Sequence, residues 1–258
     1  MRLGSLDVTA LVDGSVDLPP EFFPGADWEV HRDLLTDGVL RVPVGCFLVR
    51  GGGTTVLIDA GLGPRDGAWF EGGRLIGELA RAGVAPADVD LVVCTHLHFD
   101  HIGGVLQDGV PVFPNAAVRF GAQEVDQFAS DPSAGETTRA MLEALRTNSS
   151  FELISHDGEL APGVSTLHAP GHTLGHRCVV LSSGDDRLFL LGDAVHCPVQ
   201  ITETEWEAIA DVDKKLARRT RETLFREIES AGAMMGGAHF PGLQFGRVLR
   251  GEGKRYFA

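Results

Sequence analysis

Cys94-Thr95-His96-Leu97-His98-Phe99-Asp100-His101-Ile102-Gly103-Gly104 carries three histidines and one carboxylate within the six residues from His96 to His101. The apolar run Leu91-Val92-Val93-Cys94 leads into it. Such a run, followed by glycines, reads as a buried strand opening into a loop. In an extended segment alternate side chains share a face, so His96, His98 and Asp100 are expected on one side. His101 breaks the alternation and points elsewhere, as an adjacent second metal centre requires. Imidazole and carboxylate together suit zinc, iron or manganese. The lack of a cysteine within the cluster argues against a purely structural zinc site.

Three further candidates stand at the ends of apolar runs. His172 follows Leu167-His168-Ala169-Pro170-Gly171, Asp193 follows Leu188-Phe189-Leu190-Leu191-Gly192, and His239 follows a strand through Met234 and Met235. Loops at strand ends are where a scaffold usually presents its chemistry. With the first cluster these make five histidines and two aspartates, enough for two metals with a shared carboxylate.

The rest of the chain alternates strand and helix signals. Residues 3–12 read as a strand ending in a turn at Asp13-Gly14, and residues 16–38 as an irregular, proline-bearing stretch. Strands over 42–49 and 55–58 flank a glycine turn and deliver Asp59. Helical spacing appears at Leu75, Ile76, Leu79 and Ala80, then near 121–129 and 136–147. A short strand falls at 117–120. Apolar runs at 151–154, 164–168, 177–182 and 187–191, separated by turn residues, predict antiparallel strands. Asp211 to Ser230 reads as a long helix burying Leu216, Leu224, Phe225 and Ile228, and Ala233-Met234-Met235 as the last strand. No linker or internal repeat is visible, so residues 1–258 read as one domain, with two facing sheets and helices outside.

Composition narrows the function. The 258 residues are 43% hydrophobic and 22% charged, ordinary for a globular protein able to bury one sizeable core. A formal charge of −14 makes nucleic acid a poor partner. Cys46, Cys94, Cys178 and Cys197 show no C-x-x-C spacing and sit in or beside apolar segments, as buried thiols do. The first residues lack a signal-peptide core, and no apolar run approaches the ~20 residues of a membrane span. A cytoplasmic enzyme acting on a small molecule is expected.

Taken in order, Ile58-Asp59-Ala60-Gly61, His96-Leu97-His98-Phe99-Asp100-His101, Gly171-His172-Thr173-Leu174-Gly175-His176, Leu191-Gly192-Asp193 and Gly237-Ala238-His239 resemble the motifs of the metallo-β-lactamase superfamily. The resemblance covers nearly the whole chain. It implies an α+β fold, a four-layer αββα sandwich with the site at the sheet edge. It implies two divalent metal ions, zinc foremost and manganese or iron as alternatives. His96, His98 and His172 would hold the first, and Asp100, His101 and His239 the second. Asp193 would bridge them, and Asp59 would orient a ligand histidine. A hydroxide between cations roughly 3.5–4 Å apart is available near neutral pH. Asp100 is the carboxylate placed to pass a proton to the leaving group.

Within the superfamily the chain looks most like the small lactonases and the methyl-parathion-hydrolase-like group, through residues 192–200 and 238–242. Acyl-homoserine-lactone lactonases tend to place a tyrosine shortly after the bridging aspartate. Here the only tyrosine is Tyr256, and His196 occupies that region as a candidate donor to a substrate oxygen. Phe99, with Phe22, Phe23, Trp28 and Trp69 on loops, forms a candidate pocket for a neutral, apolar substrate. The aromatic loop reads equally as a lid or as a core cover. His168 and His176 are expected either to support the site from behind or to serve the fold alone. Hydrolysis of an ester or lactone is the leading expectation. Phosphotriesterase or β-lactamase-type activity, and an iron-dependent redox enzyme, stand as alternatives. Relatives in this branch are often dimers, so a homodimer is also implied.

Overall fold

Alternation within the apolar strands decides the layering. In Thr54–Ile58, Val56 and Ile58 share one face and Leu57 takes the other; in Leu91–Val93, Leu91 and Val93 separate from Val92 in the same way. The computed structural model describes residues 1–258. It packs Val56, Ile58, Leu91 and Val93 against Val179, Leu181, Leu188 and Leu190 of a second sheet. Leu57 and Val92 point the opposite way, into a cluster with Leu75 and Leu79 of the helix Leu75–Arg81 and with Met141 and Leu142 of the helix Glu136–Thr147. On the outer face of the second sheet, Phe189 and Met235 meet Leu224, Phe225 and Ile228 of the helix Lys214–Ala231. The result is helix, sheet, sheet, helix, the expected αββα sandwich of the α+β class. At roughly 1.5–3 kcal/mol for each fully buried large apolar side chain, the layer between the sheets outweighs any single polar contact in holding them together.

The first sheet runs Phe151–Ile154, Ala117–Gly121, Leu91–Val93, Thr54–Ile58, Leu40–Gly51, Leu6–Leu18, then the short edge pieces Phe70–Glu71 and Asp66–Gly67. The second runs Gly158–Ala161, Val164–His168, Arg177–Ser183, Asp186–Leu190, Met234–Gly236, Gly246–Gly251 and Lys254–Phe257. Direction places the site. Thr54–Ile58 and Leu91–Val93 are parallel, with Ile58 beside Val93, so both finish at one edge. Asp186–Leu190 and Met234–Gly236 are parallel as well, with Leu190 beside Gly236. Val164–His168 runs the same way, because Arg177–Ser183 is antiparallel to both it and Asp186–Leu190. Five strands therefore discharge Asp59, the His96–His101 cluster, His172, Asp193 and His239 close to one another.

Several local expectations change. The first strand does not turn at Asp13-Gly14 but bulges there and continues as Leu6–Leu18. The bulge turns Asp13 inward, where its carboxylate accepts from the backbone N–H groups of Leu62, Gly63, Gly73 and Leu75. Phe151–Ile154 joins the first sheet, parallel to Ala117–Gly121, and is not part of the antiparallel series. The long helix begins at Lys214 with Asp213 as its N-cap, accepting from the Leu216 N–H, so Asp211 is free for another role. It buries Ala217 and Arg221, and Leu216 is only half-buried. The chain does not finish its sheets at Met235; a hairpin of Gly246–Gly251 and Lys254–Phe257 follows. All four cysteines are free and buried. No helix is long and apolar enough to cross a membrane.

Candidate metal centre

The loop after Leu91–Val93 is built by backbone and carboxylate bonds before any histidine is placed. Asp59 sits at φ 58, a left-handed conformation uncommon for a residue with a side chain. Its carboxylate accepts from the Thr95 N–H at 2.7 Å and from the Thr95 hydroxyl at 3.0 Å. Glu124, buried on the helix Ala122–Phe128, spans the two metal loops. It accepts from the Leu97 N–H at 2.8 Å, the Gly175 N–H at 2.9 Å and the Thr173 hydroxyl. Burial pushes the Glu124 carboxyl up, against the pull of those bonds.

The segment does not stay extended through the cluster, which corrects the expected facing of Asp100. His98 is the N-cap of a helical turn, Phe99–Ile102. Coiling there swings Asp100 away from His96 and His98 and groups it with His101. Two donor sets result: His96, His98, His172 and Asp193 in one, Asp100, His101 and His239 in the other. In the first, His98 Nδ1 lies 3.0 Å from His96 Nε2 and 2.8 Å from His172 Nε2. His172 Nε2 is 3.4 Å from Asp193 Oδ2. In the second, His101 Nε2 and His239 Nε2 lie 3.1 and 3.2 Å from Asp193 Oδ1, and His239 Nε2 lies 3.5 Å from Asp100 Oδ2. Asp193 thus turns one oxygen towards each set.

Divalent cations fit these donors. Three ring nitrogens of the first set converge on one point beside an Asp193 oxygen, a donor set that one shared cation would satisfy together. In the second, His101 Nε2 and Asp193 Oδ1 are buried and neither makes a hydrogen bond. Nitrogen and oxygen donors without thiolate suit zinc, manganese or iron. Electrostatics differ between the sets. Burial and neighbouring imidazoles keep His96 well below the usual range, and His98 is pushed down to about 3 chiefly by burial. Burial also lowers His101, but Asp193, Asp59 and Asp100 outweigh it and hold that ring well above its ordinary value. Asp193 is raised by burial and lowered further by His101, His239 and His196, ending well below the carboxylate range.

Several donors have a support behind them. Asp59 Oδ2 is 2.8 Å from His101 Nδ1, and the Pro43 carbonyl accepts from His239 Nδ1 at 2.7 Å. Asp211, missed because it reads as the start of the helix, lies 3.1 Å from His172 Nδ1. His176 Nε2 accepts from the Asp193 N–H, and His168 Nε2 bonds the Leu174 carbonyl. His196 is buried with both ring nitrogens lacking hydrogen bonds, and its Nε2 is 3.4 Å from Asp193 Oδ2. Burial pushes this ring down to about 4.

A cavity of about 260 Å³ opens over the donors, lined among others by Asp100, His196, Phe22, Trp69 and Phe99. It continues into an outer trough of about 750 Å³ that shares Leu18, Phe22, Trp69 and Ala210. Phe23 and Trp28 do not line either space, contrary to expectation. The 3-10 turn Pro20–Phe22 points neighbouring side chains in opposite directions, so Phe23 packs inward on Trp206 at 5.5 Å and Trp28 covers the same indole at 4.9 Å. The aromatic loop is therefore part wall and part core cover.

With this geometry in place, the family model described as the metallo-beta-lactamase superfamily matches residues 39–227. The chain belongs to the metallo-beta-lactamase superfamily. An N-acyl homoserine lactonase from a Bacillus species is 29% identical over 219 residues, covering 77% of this chain and 83% of that one. The crystal structure of the hydrolase AbOPH, of the beta lactamase superfamily, superposes with a TM-score of 0.88 at 27% identity, over 100% of this chain and 94% of that one. The dizinc quorum-quenching lactonase AidC, solved with a product, superposes at TM-score 0.89 and 22% identity, covering 100% and 95%, a likeness of fold. This superfamily member is thus a metallo-hydrolase by family, with lactonases among its relatives and a histidine–aspartate cluster suited to metal.

Proposed function

We propose that this protein is a dinuclear metal hydrolase that opens a neutral ester or lactone carrying an apolar tail. One observation carries the reading: two donor sets share Asp193 at the floor of a cavity whose walls, and those of the trough beyond it, contain no lysine or arginine. Away from the metal ions, a carboxylate or phosphate on the substrate would meet no lysine or arginine, so an apolar, uncharged group fits the walls best. The similarity to N-acyl homoserine lactonases supports the same substrate chemistry.

His96, His98, His172 and Asp193 would hold one ion, and Asp100, His101, His239 and Asp193 the other. When bound, such ions supply Lewis acidity and lower the pKa of water towards neutrality. The chain's own residues supply the rest. Asp193 fixes the spacing of the two sets by giving each one oxygen. Asp100 lines the cavity and carries a proton from the attacking water to the leaving oxygen. His196, neutral near pH 7, presents an N–H to the substrate oxygen, its backbone N–H fixed by Gln200 Oε1 at 2.7 Å. Phe22, Trp69 and Phe99 exclude water from the reacting bond.

The test is a panel of lactones with short and long acyl tails, aryl esters, phosphotriesters and a cephalosporin, run with zinc, with manganese and with a chelator. Chelator-sensitive turnover that favours long-tailed lactones or esters is expected. Preference for a charged substrate, undiminished turnover in chelator, or iron with oxygen consumption in the purified protein would contradict it.

A further inference from the structure

The two ends of the donor array are supported unequally. His239 leans on a neutral carbonyl, that of Pro43. His172 leans on Asp211, whose carboxylate is backed in turn by a cation. Asp211 is 5% exposed and Arg221 2% exposed. Arg221 Nη1 lies 3.7 Å from Asp211 Oδ2, and its Nη2 donates to the Trp206 carbonyl at 3.0 Å. Asp211 Oδ2 and Arg221 Nη1 have no hydrogen-bond partners, so the pair is held by charge.

We infer that Asp211 and Arg221 form a positioning pair that fixes the His172 ring for the first donor set, as Asp59 does for His101 in the second. The inference rests on the dinuclear reading above. Geometry beyond the one contact supports it. The segment between the helices Val199–Thr202 and Lys214–Ala231, which carries Asp211, is tied to the His172 loop by Val212 N–H to the His172 carbonyl at 3.1 Å and Asp213 N–H to the Gly171 carbonyl at 2.9 Å. The backbone of His172 and of Gly171 before it is therefore fixed to the segment that carries the carboxylate. A buried carboxylate accepting Nδ1–H leaves Nε2 as the lone-pair nitrogen, and Nε2 is the atom that faces His98 and Asp193. Arg221 keeps Asp211 from being an isolated buried charge, which would otherwise cost far more than its bond to His172 returns. Trp206, whose carbonyl Arg221 also holds, packs with its ring tilted against Phe23 and Trp28. The same arginine thereby joins the aromatic cover to the metal loop.

The experiment measures the two stepwise zinc dissociation constants of the full-length chain by chelator competition. The parent is compared with Asp211→Asn, Arg221→Met and Asp59→Asn, all checked for folding by circular dichroism. Asp211→Asn is expected to weaken one zinc ion by about 10–100-fold and leave the other within a few-fold, with Arg221→Met weakening the same ion less. In the cobalt-loaded protein, an imidazole N–H resonance should move in Asp211→Asn and stay fixed in Asp59→Asn, with a different resonance showing the reverse. That spectroscopic readout stands even if Arg221→Met folds poorly. Two ions held as tightly in Asp211→Asn as in the parent, or the same resonance moved by both aspartate changes, would overturn the inference alone. A parent chain that takes up no zinc would overturn the dinuclear reading beneath it.

Discussion

Asp59 Oδ2 lies 2.8 Å from His101 Nδ1, the ring nitrogen turned away from Asp193. The same carboxylate receives the Thr95 N–H and hydroxyl, so it builds the loop and aims the ring together. Asp59→Ala leaves the buried Thr95 N–H without its acceptor and removes the stronger partner of the Thr95 hydroxyl and of His101, at about 1–3 kcal/mol for each unsatisfied group. A loss of about 2–5 kcal/mol in urea unfolding of the metal-free chain is expected; an unchanged midpoint would show that the loop is held otherwise.

Glu124 gives a second stability test with a different reach. Its carboxylate joins the Leu97 loop to the Thr173–Gly175 loop, so Glu124→Ala should loosen His96, His98 and His172 as well as destabilise. Zinc retained on dialysis should fall in Glu124→Ala, and Glu124→Gln, which keeps an accepting oxygen, should lie between it and the parent. Equal zinc retention in all three would contradict the role.

What the sequence showed and what it hid follow from distance along the chain. His96, His98, Asp100 and His101 are legible because one short loop carries them, and the buried strand that delivers them is written in the apolar run of Leu91, Val92 and Val93. Glu124 and Asp211 were not, because each acts across a separation of 27 and 39 residues on a partner that no spacing rule names. Asp211 was further masked by Asp213, since either aspartate can cap the helix and only the backbone shows that Asp213 does. Phe22 and Phe23 are adjacent and chemically identical, so only the direction of the 3-10 turn tells wall from core. The last hairpin carried a Gly253 turn signal between apolar residues that are sparse and half-exposed, too weak for alternation to reveal.

Gly171 tests the close packing behind His172. It sits at φ 136, and a Cβ there would lie 2.2 Å from the Ala217 backbone nitrogen. Gly171→Ala must push the His172 loop from the helix Lys214–Ala231, at about 1–3 kcal/mol for overpacking with backbone strain in addition. Thermal unfolding should record the loss, and a parent-like melting temperature would contradict the fit.

The C-terminal hairpin supplies the pH dependence. Arg255 Nη1 lies 2.6 Å from Glu222 Oε2, and Arg250 Nε 2.7 Å from Glu229 Oε1. Hydrogen bonds from Arg255 hold Glu222, and from Arg250 hold Glu229, below the ordinary glutamate value. Folded values below the unfolded value of about 4.3 mean stability that is full above that pH and lost as pH falls through the folded values. Arg255→Met should therefore melt below the parent at pH 7, with the difference closing as the pH drops below about 4. A difference independent of pH would contradict the ion-pair account.

Metal content of the purified chain, counted per polypeptide beside Asp193→Ala, bears most directly on the shared-carboxylate centre. Two divalent ions in the parent and a loss of metal in the variant, with its fold retained by circular dichroism, are predicted. Two ions kept in Asp193→Ala, or none in a parent chain refolded with zinc, would contradict it.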